Sequence, residues 1–73
     1  MIDVRLFATL RVGREKKYEF APEGISTAAD LLDRLGIPAK EVAILLINGF
    51  HSKPEDPVKD GDLVSLFPPC AGG

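Results

Sequence analysis

Few side chains in this chain of 73 residues could do chemistry, and they do not sit together. There is one histidine, His51, and one cysteine, Cys70. His51 has no second ligand candidate and no partner for a catalytic dyad, so neither a metal site nor a bound cofactor is expected. Glu55 and Asp56 lie between Pro54 and Pro57 and read as solvated loop charges. Gly13, Gly24, Gly36, Gly49 and Gly61 each fall where a turn or cap is needed, and they build no phosphate cradle. What remains is the last stretch, Phe67-Pro68-Pro69-Cys70-Ala71-Gly72-Gly73. At its tip the one chemical group is a carboxylate, that of Gly73.

That stretch has the design of a presenting arm. The apolar run Leu63 to Phe67 is cut off by two prolines, which give a sheet ladder no N–H and hold φ near one value. Gly72 and Gly73 have no Cβ, so nothing but backbone reaches the tip. Extended, the residues past Phe67 would reach roughly 20 Å. Two glycines alone are weak, since glycine is about 7% of average usage. Two glycines on a stiff base directly after a strand say more.

The elements that must carry this arm fit one small domain. At 73 residues a single compact core is all the chain can bury. A hydrophobic content of 45% with 27% charged residues argues against disorder. Nine basic against eleven acidic residues leave a net charge of −2, a balance that does not suggest a nucleic-acid binder, which would need a basic face. One cysteine excludes an internal disulfide framework and fits a reducing compartment. With neither a secretory h-region nor an apolar run of ~20 residues, the expected location is cytoplasmic, away from membranes.

Ile2, Val4, Leu6, Ala8 and Leu10 alternate with Asp3, Arg5, Phe7, Thr9 and Arg11, which predicts a strand with the even residues inward. A turn through Gly13 leads to a second strand at Tyr18-Glu19-Phe20, ended by Pro22 and Gly24. Ser26 or Thr27 offers an N-cap. Ala28, Leu31, Leu32 and Leu35 then form one apolar stripe, Gly36 suits the C′ position and Pro38 prevents resumption, giving a helix over about 27–35. Val42 to Ile47 reads as a buried third strand ended by Asn48-Gly49, a two-residue turn signal. Phe50-His51 is then a short return strand. Residues 52–58 are irregular, Asp60-Gly61-Asp62 is a turn, and Leu63–Phe67 is the last strand. The order β-β-α-β-β-β predicts an α+β fold of the β-grasp type, a mixed sheet of about five strands with one main helix on one face. The domain would occupy 1–67 and a flexible tail 68–73.

Leu6-Phe7-Ala8-Thr9-Leu10-Arg11, Ile47-Asn48-Gly49, Lys59-Asp60-Gly61-Asp62 and Phe67-Pro68-Pro69-x-Ala71-Gly72-Gly73 together resemble the MoaD/ThiS sulfur-carrier family, ubiquitin-like β-grasp proteins. The resemblance spans essentially the whole chain in order and spacing. The opening and the Phe-Pro-Pro stop are more similar to the MoaD branch, the small subunit of molybdopterin synthase. Cys70 departs from the family's usual small apolar residue, and the chain is short for that branch.

The resemblance implies that an E1-like, MoeB-type adenylating enzyme converts the Gly73 carboxylate to an acyl-adenylate. A sulfur donor such as a cysteine desulfurase or rhodanese then makes it a thiocarboxylate. Ala71, Gly72 and Gly73 would thread into the active site of a MoaE-type large subunit, and the sulfur would pass to a pterin precursor of the molybdenum or tungsten cofactor. The carrier would have no catalytic residues of its own. Carriage of sulfur to thiamin thiazole or another thiolated product, and ubiquitin-like modification of proteins, stay open as alternatives.

A second candidate is a surface. If the even residues of the first strand face the helix, Phe7 faces outward, and in the last strand Phe67 and Leu63 do the same. Should these strands be neighbours, Phe7, Leu63, Phe67, Pro68 and Pro69 form a partner interface; the alternative is that a loop covers them or that they are scattered surface residues. Cys70 either fills a small apolar site or offers a thiol near Gly73 for an internal acyl-disulfide. Arg11 and Arg14 either guide an acidic partner or form a solvated hairpin end, the second being the simpler reading.

Overall fold

The computed structural model describes residues 1–69. Five strands and one helix follow in the expected order: β1 Ile2–Leu6, β2 Lys17–Phe20, α1 Ala28–Leu35, β3 Ile44–Ile47, β4 Phe50–His51 and β5 Leu63–Phe67. The sheet order is β2-β1-β5-β3-β4. Strands β1 and β5 pair in parallel at its centre, and all other neighbours are antiparallel. β5, and α1 with Thr27 as its N-cap, lie within a residue of where the sequence pattern puts them.

Local sequence explains most boundaries. The Asp30 carboxylate of α1 accepts the N–H groups of Ser26 (2.7 Å) and Thr27 (3.1 Å), closing the helix start. At the other end Gly36 takes φ +68°, and the Ile37 N–H reaches back to the Leu32 carbonyl at 2.9 Å. The β3–β4 hairpin turns on Asn48 and Gly49, both at positive φ, as a tight two-residue turn requires. Asn48 also ties this turn to the next one. Its Nδ2 donates to Asp62 Oδ1 and its Oδ1 accepts the Leu63 N–H, each at 2.9 Å.

The core lies between α1 and the inner face of the sheet. Ile2, Val4, Leu6, Leu31, Val64 and Leu66 are its largest fully buried side chains, each contributing about 1.5–3 kcal/mol through burial. Tyr18, Phe20, Leu35, Val42 and Ile47 pack at its margin.

Two expectations need correction. The period-two pattern of the first strand runs to residue 10, but β1 stops at Leu6. Ala8 adopts φ +53°, and Ala8–Arg11 coils into a 3-10 turn. Leu10 still reaches the core, 2% exposed, because the turn folds it inward and not because a strand alternates. The third strand is also shorter than Val42–Ile47. Ala39–Glu41 forms a second 3-10 turn, and β3 starts at Ile44. Nor is β3 buried on both faces: Leu45 is in the core while Ile44 is 39% exposed.

The Asp62 carboxyl lies below the usual carboxylate range, first because Asn48 donates to it and then because the Lys59 N–H does, at 2.8 Å. A lowered folded value stabilises the fold above the unfolded value of about 3.9 and loses that contribution as pH falls through the folded value. Urea unfolding across the acid range should therefore show stability falling with pH more steeply in the wild type than in Asp62→Asn. Identical slopes would show that the Asn48–Asp62 link does not favour the charged form.

Candidate functional site

The centre of the sheet decides where the end of the chain emerges. In β5 the side chains of Val64 and Leu66 point to the core, so Leu63, Ser65 and Phe67 take the outer face. Phe7 follows inward Leu6 and turns the same way. Its N–H donates to the Leu66 carbonyl at 3.1 Å, which fixes it beside the end of β5. The two rings stack with centroids 4.3 Å apart and planes 6° from parallel. The Arg11 guanidinium lies over the Phe7 ring, 5.4 Å from its centroid, and its Nε donates to the Leu6 carbonyl at 2.7 Å. Pro68 and Pro69 follow directly from this platform.

Register extends the platform in a direction the sequence pattern did not indicate. Ile44 pairs with Phe67, and Leu46 with Ser65, so both β3 side chains join the outer face. Counting by twos along β3 puts residues 44 and 46 opposite 45 and 47, but only the register tells which pair faces outward. Leu63 shares the face but not the place. It pairs with Asp3 at the start of β5, four residues and ~13 Å along the strand from Phe67. The outer face is thus divided. Its β2–β1 half carries Lys17, Glu19, Asp3 and Arg5, and its β5–β3 half is largely apolar.

Of the expected residues, Phe7 and Phe67 come together, Pro68 and Pro69 follow Phe67 along the chain, and Leu63 stands apart. Cys70, Ala71, Gly72 and Gly73 lie outside the described residues. Arg14 is no solvated hairpin end. It donates to the carbonyls of Leu10, Leu35 and Gly36 at 3.2–3.4 Å, fastening the turn to the end of α1. His51 is exposed on edge strand β4. Among the described residues no group of three or more histidine, cysteine or acidic side chains could hold a metal ion. No helix among them is long and apolar enough to cross a membrane.

A mixed five-stranded sheet holding one helix, with the first and last strands parallel at its centre, defines the ubiquitin-like β-grasp class. Within that class the chain belongs to the ThiS family, whose family model matches residues 4–73. No curated protein matches the chain by sequence. Among solved structures, SAMP1 from Haloferax volcanii has a TM-score of 0.76 at 25% identity, over 99% of this chain and 98% of its own. The Haloferax volcanii HVO 2177 protein reaches 0.73 at 30% identity, over 99% and 85%. A chain from the complex of subunits 1 and 2 of the molybdopterin-converting factor of Helicobacter pylori reaches 0.65 at 27%, over 99% and 97%. The fold is that of ThiS/MoaD-type sulfur carriers and ubiquitin-like modifiers.

The stack itself is measurable. A double-mutant cycle replacing Phe7 and Phe67 by Leu, singly and together, should give a coupling of about 0.5–1.5 kcal/mol in denaturant unfolding. Additive losses would mean that the rings only share a neighbourhood.

Proposed function

We propose that the chain is a sulfur carrier and the small subunit of a molybdopterin synthase, with Gly73 as the residue that carries sulfur. The observation that supports this most is the Phe7–Phe67 stack, an aromatic docking surface at the root of the Pro68-Pro69 exit. A partner that seats on this surface receives the following residues in a fixed direction. The match to a molybdopterin-converting factor structure, a complex of two subunits, supports a partner subunit.

The chemistry follows from the weakness of a carboxylate as an electrophile. A Gly73 carboxylate oxygen attacks the α-phosphorus of ATP in a MoeB-type adenylating enzyme, and pyrophosphate leaves. The mixed anhydride is then open to a sulfur nucleophile relayed from a cysteine desulfurase or rhodanese, and AMP leaves with the bonding electrons. Where the nucleophile is the donor's persulfide, the acyl-disulfide so formed is cleaved by a reducing thiol, which bonds to the donor's sulfur as a new disulfide and leaves the thiocarboxylate on Gly73. Ala71, Gly72 and Gly73 thread into a MoaE-type large subunit, where sulfur passes to a pterin precursor. Glycine suits this path because a side chain would block a narrow tunnel. The carrier brings the group; the partners do the catalysis.

The likeness to SAMP1 favours a second reading, a ubiquitin-like modifier whose activated Gly73 acylates lysine amines on other proteins. The two share activation and part at the acceptor.

Incubation with a MoeB-type enzyme, ATP and a sulfur donor should raise the mass of the wild type by the exchange of one oxygen for sulfur. Gly73→Ala and a one-residue extension should gain nothing while keeping the wild-type fold. Equal gain by the extended variant, or none by the wild type, would overturn the proposal; isopeptide conjugates in place of pterin thiolation would select the modifier.

The docking role is tested separately. Phe67→Ala should weaken binding to the large subunit by about 2 kcal/mol, roughly thirtyfold, while unfolding free energy falls by only about 1 kcal/mol. Comparable losses in both would assign Phe67 to the core.

A further inference from the structure

The exit of the chain has a second side. Away from the aromatic platform, Pro68 and Pro69 combine with Thr9, Leu10 and Glu41 to line a cleft of about 350 Å³. The two 3-10 turns that bracket the end of β5 build it, Ala8–Arg11 on one side and Ala39–Glu41 on the other. Both turns are tied to that strand. The Phe7 N–H bonds to the Leu66 carbonyl at 3.1 Å and the Ala43 N–H to the Phe67 carbonyl at 2.8 Å. Cleft and exit are therefore parts of one corner, tied to the end of β5 by these bonds.

The lining selects its occupant by chemistry. Among the described residues, two pyrrolidine rings and the 2%-exposed edge of Leu10 make apolar walls, Thr9 adds a hydroxyl, and Glu41 supplies the one charge. Among the described residues no basic side chain lines the cleft, and the nearby Arg11 guanidinium is engaged over Phe7. A phosphate would meet the Glu41 carboxylate with repulsion and no compensating cation. A purely apolar side chain would desolvate that carboxylate without giving it a partner. A long cationic side chain meets both demands: its methylenes pack on Pro68 and Pro69 while its head reaches Glu41.

We propose that this cleft receives a lysine or arginine side chain of the enzyme that activates the tail, an inference that rests on the sulfur-carrier reading above. The partner then holds the exit from two sides, by apolar contact on the Phe7–Phe67 face and by an ion pair at Glu41. Two contacts at unlike faces fix the direction of the chain leaving Pro69, which one flat contact leaves free to rotate.

The test is carrier-dependent ATP–pyrophosphate exchange by a MoeB-type enzyme. Glu41→Lys should raise the KM for the carrier by about tenfold or more and Glu41→Gln by less, with kcat unchanged and the difference shrinking as salt is raised. Glu41 is exposed, so unchanged melting temperatures should show that both variants fold. A KM within about twofold of wild type for both variants would overturn the proposal. Titration of isotope-labelled chain with N-acetylarginine amide gives a partner-free arm. Amide shifts at Thr9, Leu10 and Glu41, absent with N-acetylglutamine amide and lost in Glu41→Gln, support the cleft; equal or no shifts with the two amides overturn it. If the wild type supports no exchange at all, the sulfur-carrier reading fails, and the titration alone decides the cation site.

Discussion

Parallel pairing of the first and last strands is the constraint on which everything else in this molecule depends. Strands β1 and β5 occupy the middle of the sheet, with Val4 beside Val64 and Leu6 beside Leu66, and all four side chains are fully buried. No short turn can join parallel neighbours, so nearly the whole chain has to be laid down before that pair can close. Strand β2 adds to one side of the pair and the β3–β4 hairpin to the other, and α1 covers the face that the valines and leucines leave apolar. Long-range closure of this kind is costly in chain entropy and is offset by burial at the centre.

The same pairing makes the aromatic platform. Pleating sends alternate side chains to opposite faces, so inward Leu6 and Leu66 oblige Phe7 and Phe67 to point outward, side by side. Because β5 is central, its end is flanked on both sides. The Ala8–Arg11 turn stands on one and Ala39–Glu41 on the other, and they frame the Pro68-Pro69 exit. An exit from an edge strand would have had one wall. This one has a platform on the outer face and a cleft behind it.

Small polar devices hold the frame. Arg14 binds the carbonyls at the end of α1, and the N-terminal ammonium pairs with Asp60 while the Gly61 N–H bonds to the Met1 carbonyl. Asn48 fastens the β3–β4 turn to Asp62 at the entrance of β5. Apart from the part-buried Arg14–Leu35 bond these contacts are exposed and individually weak, and each sits at or beside a turn.

Much of this was written locally. The stripe of Ala28, Leu31, Leu32 and Leu35, the Thr27 and Gly36 caps, the Asn48-Gly49 turn and the proline stop after Phe67 are signals within a few residues of each other, and short-range physics reads them directly. The family resemblance and the ThiS family match rest on that same linear order. What the sequence could not settle was decided between distant residues. Period two ran on to Leu10, but tertiary packing ended β1 at Leu6 and bent Ala8 into positive φ to bring Leu10 under the core. Ile44 and Leu46 looked like core because apolar run and buried strand are indistinguishable until register assigns a face. Arg14 looked solvated until α1 ended beside it. The sequence by itself determined the elements, their order and the stiff apolar exit, because those follow from neighbours along the chain. The tertiary structure alone decided that Phe7 meets Phe67, that Leu63 stands apart from them, and that Glu41 closes a cleft behind the prolines, because those depend on which strands lie side by side.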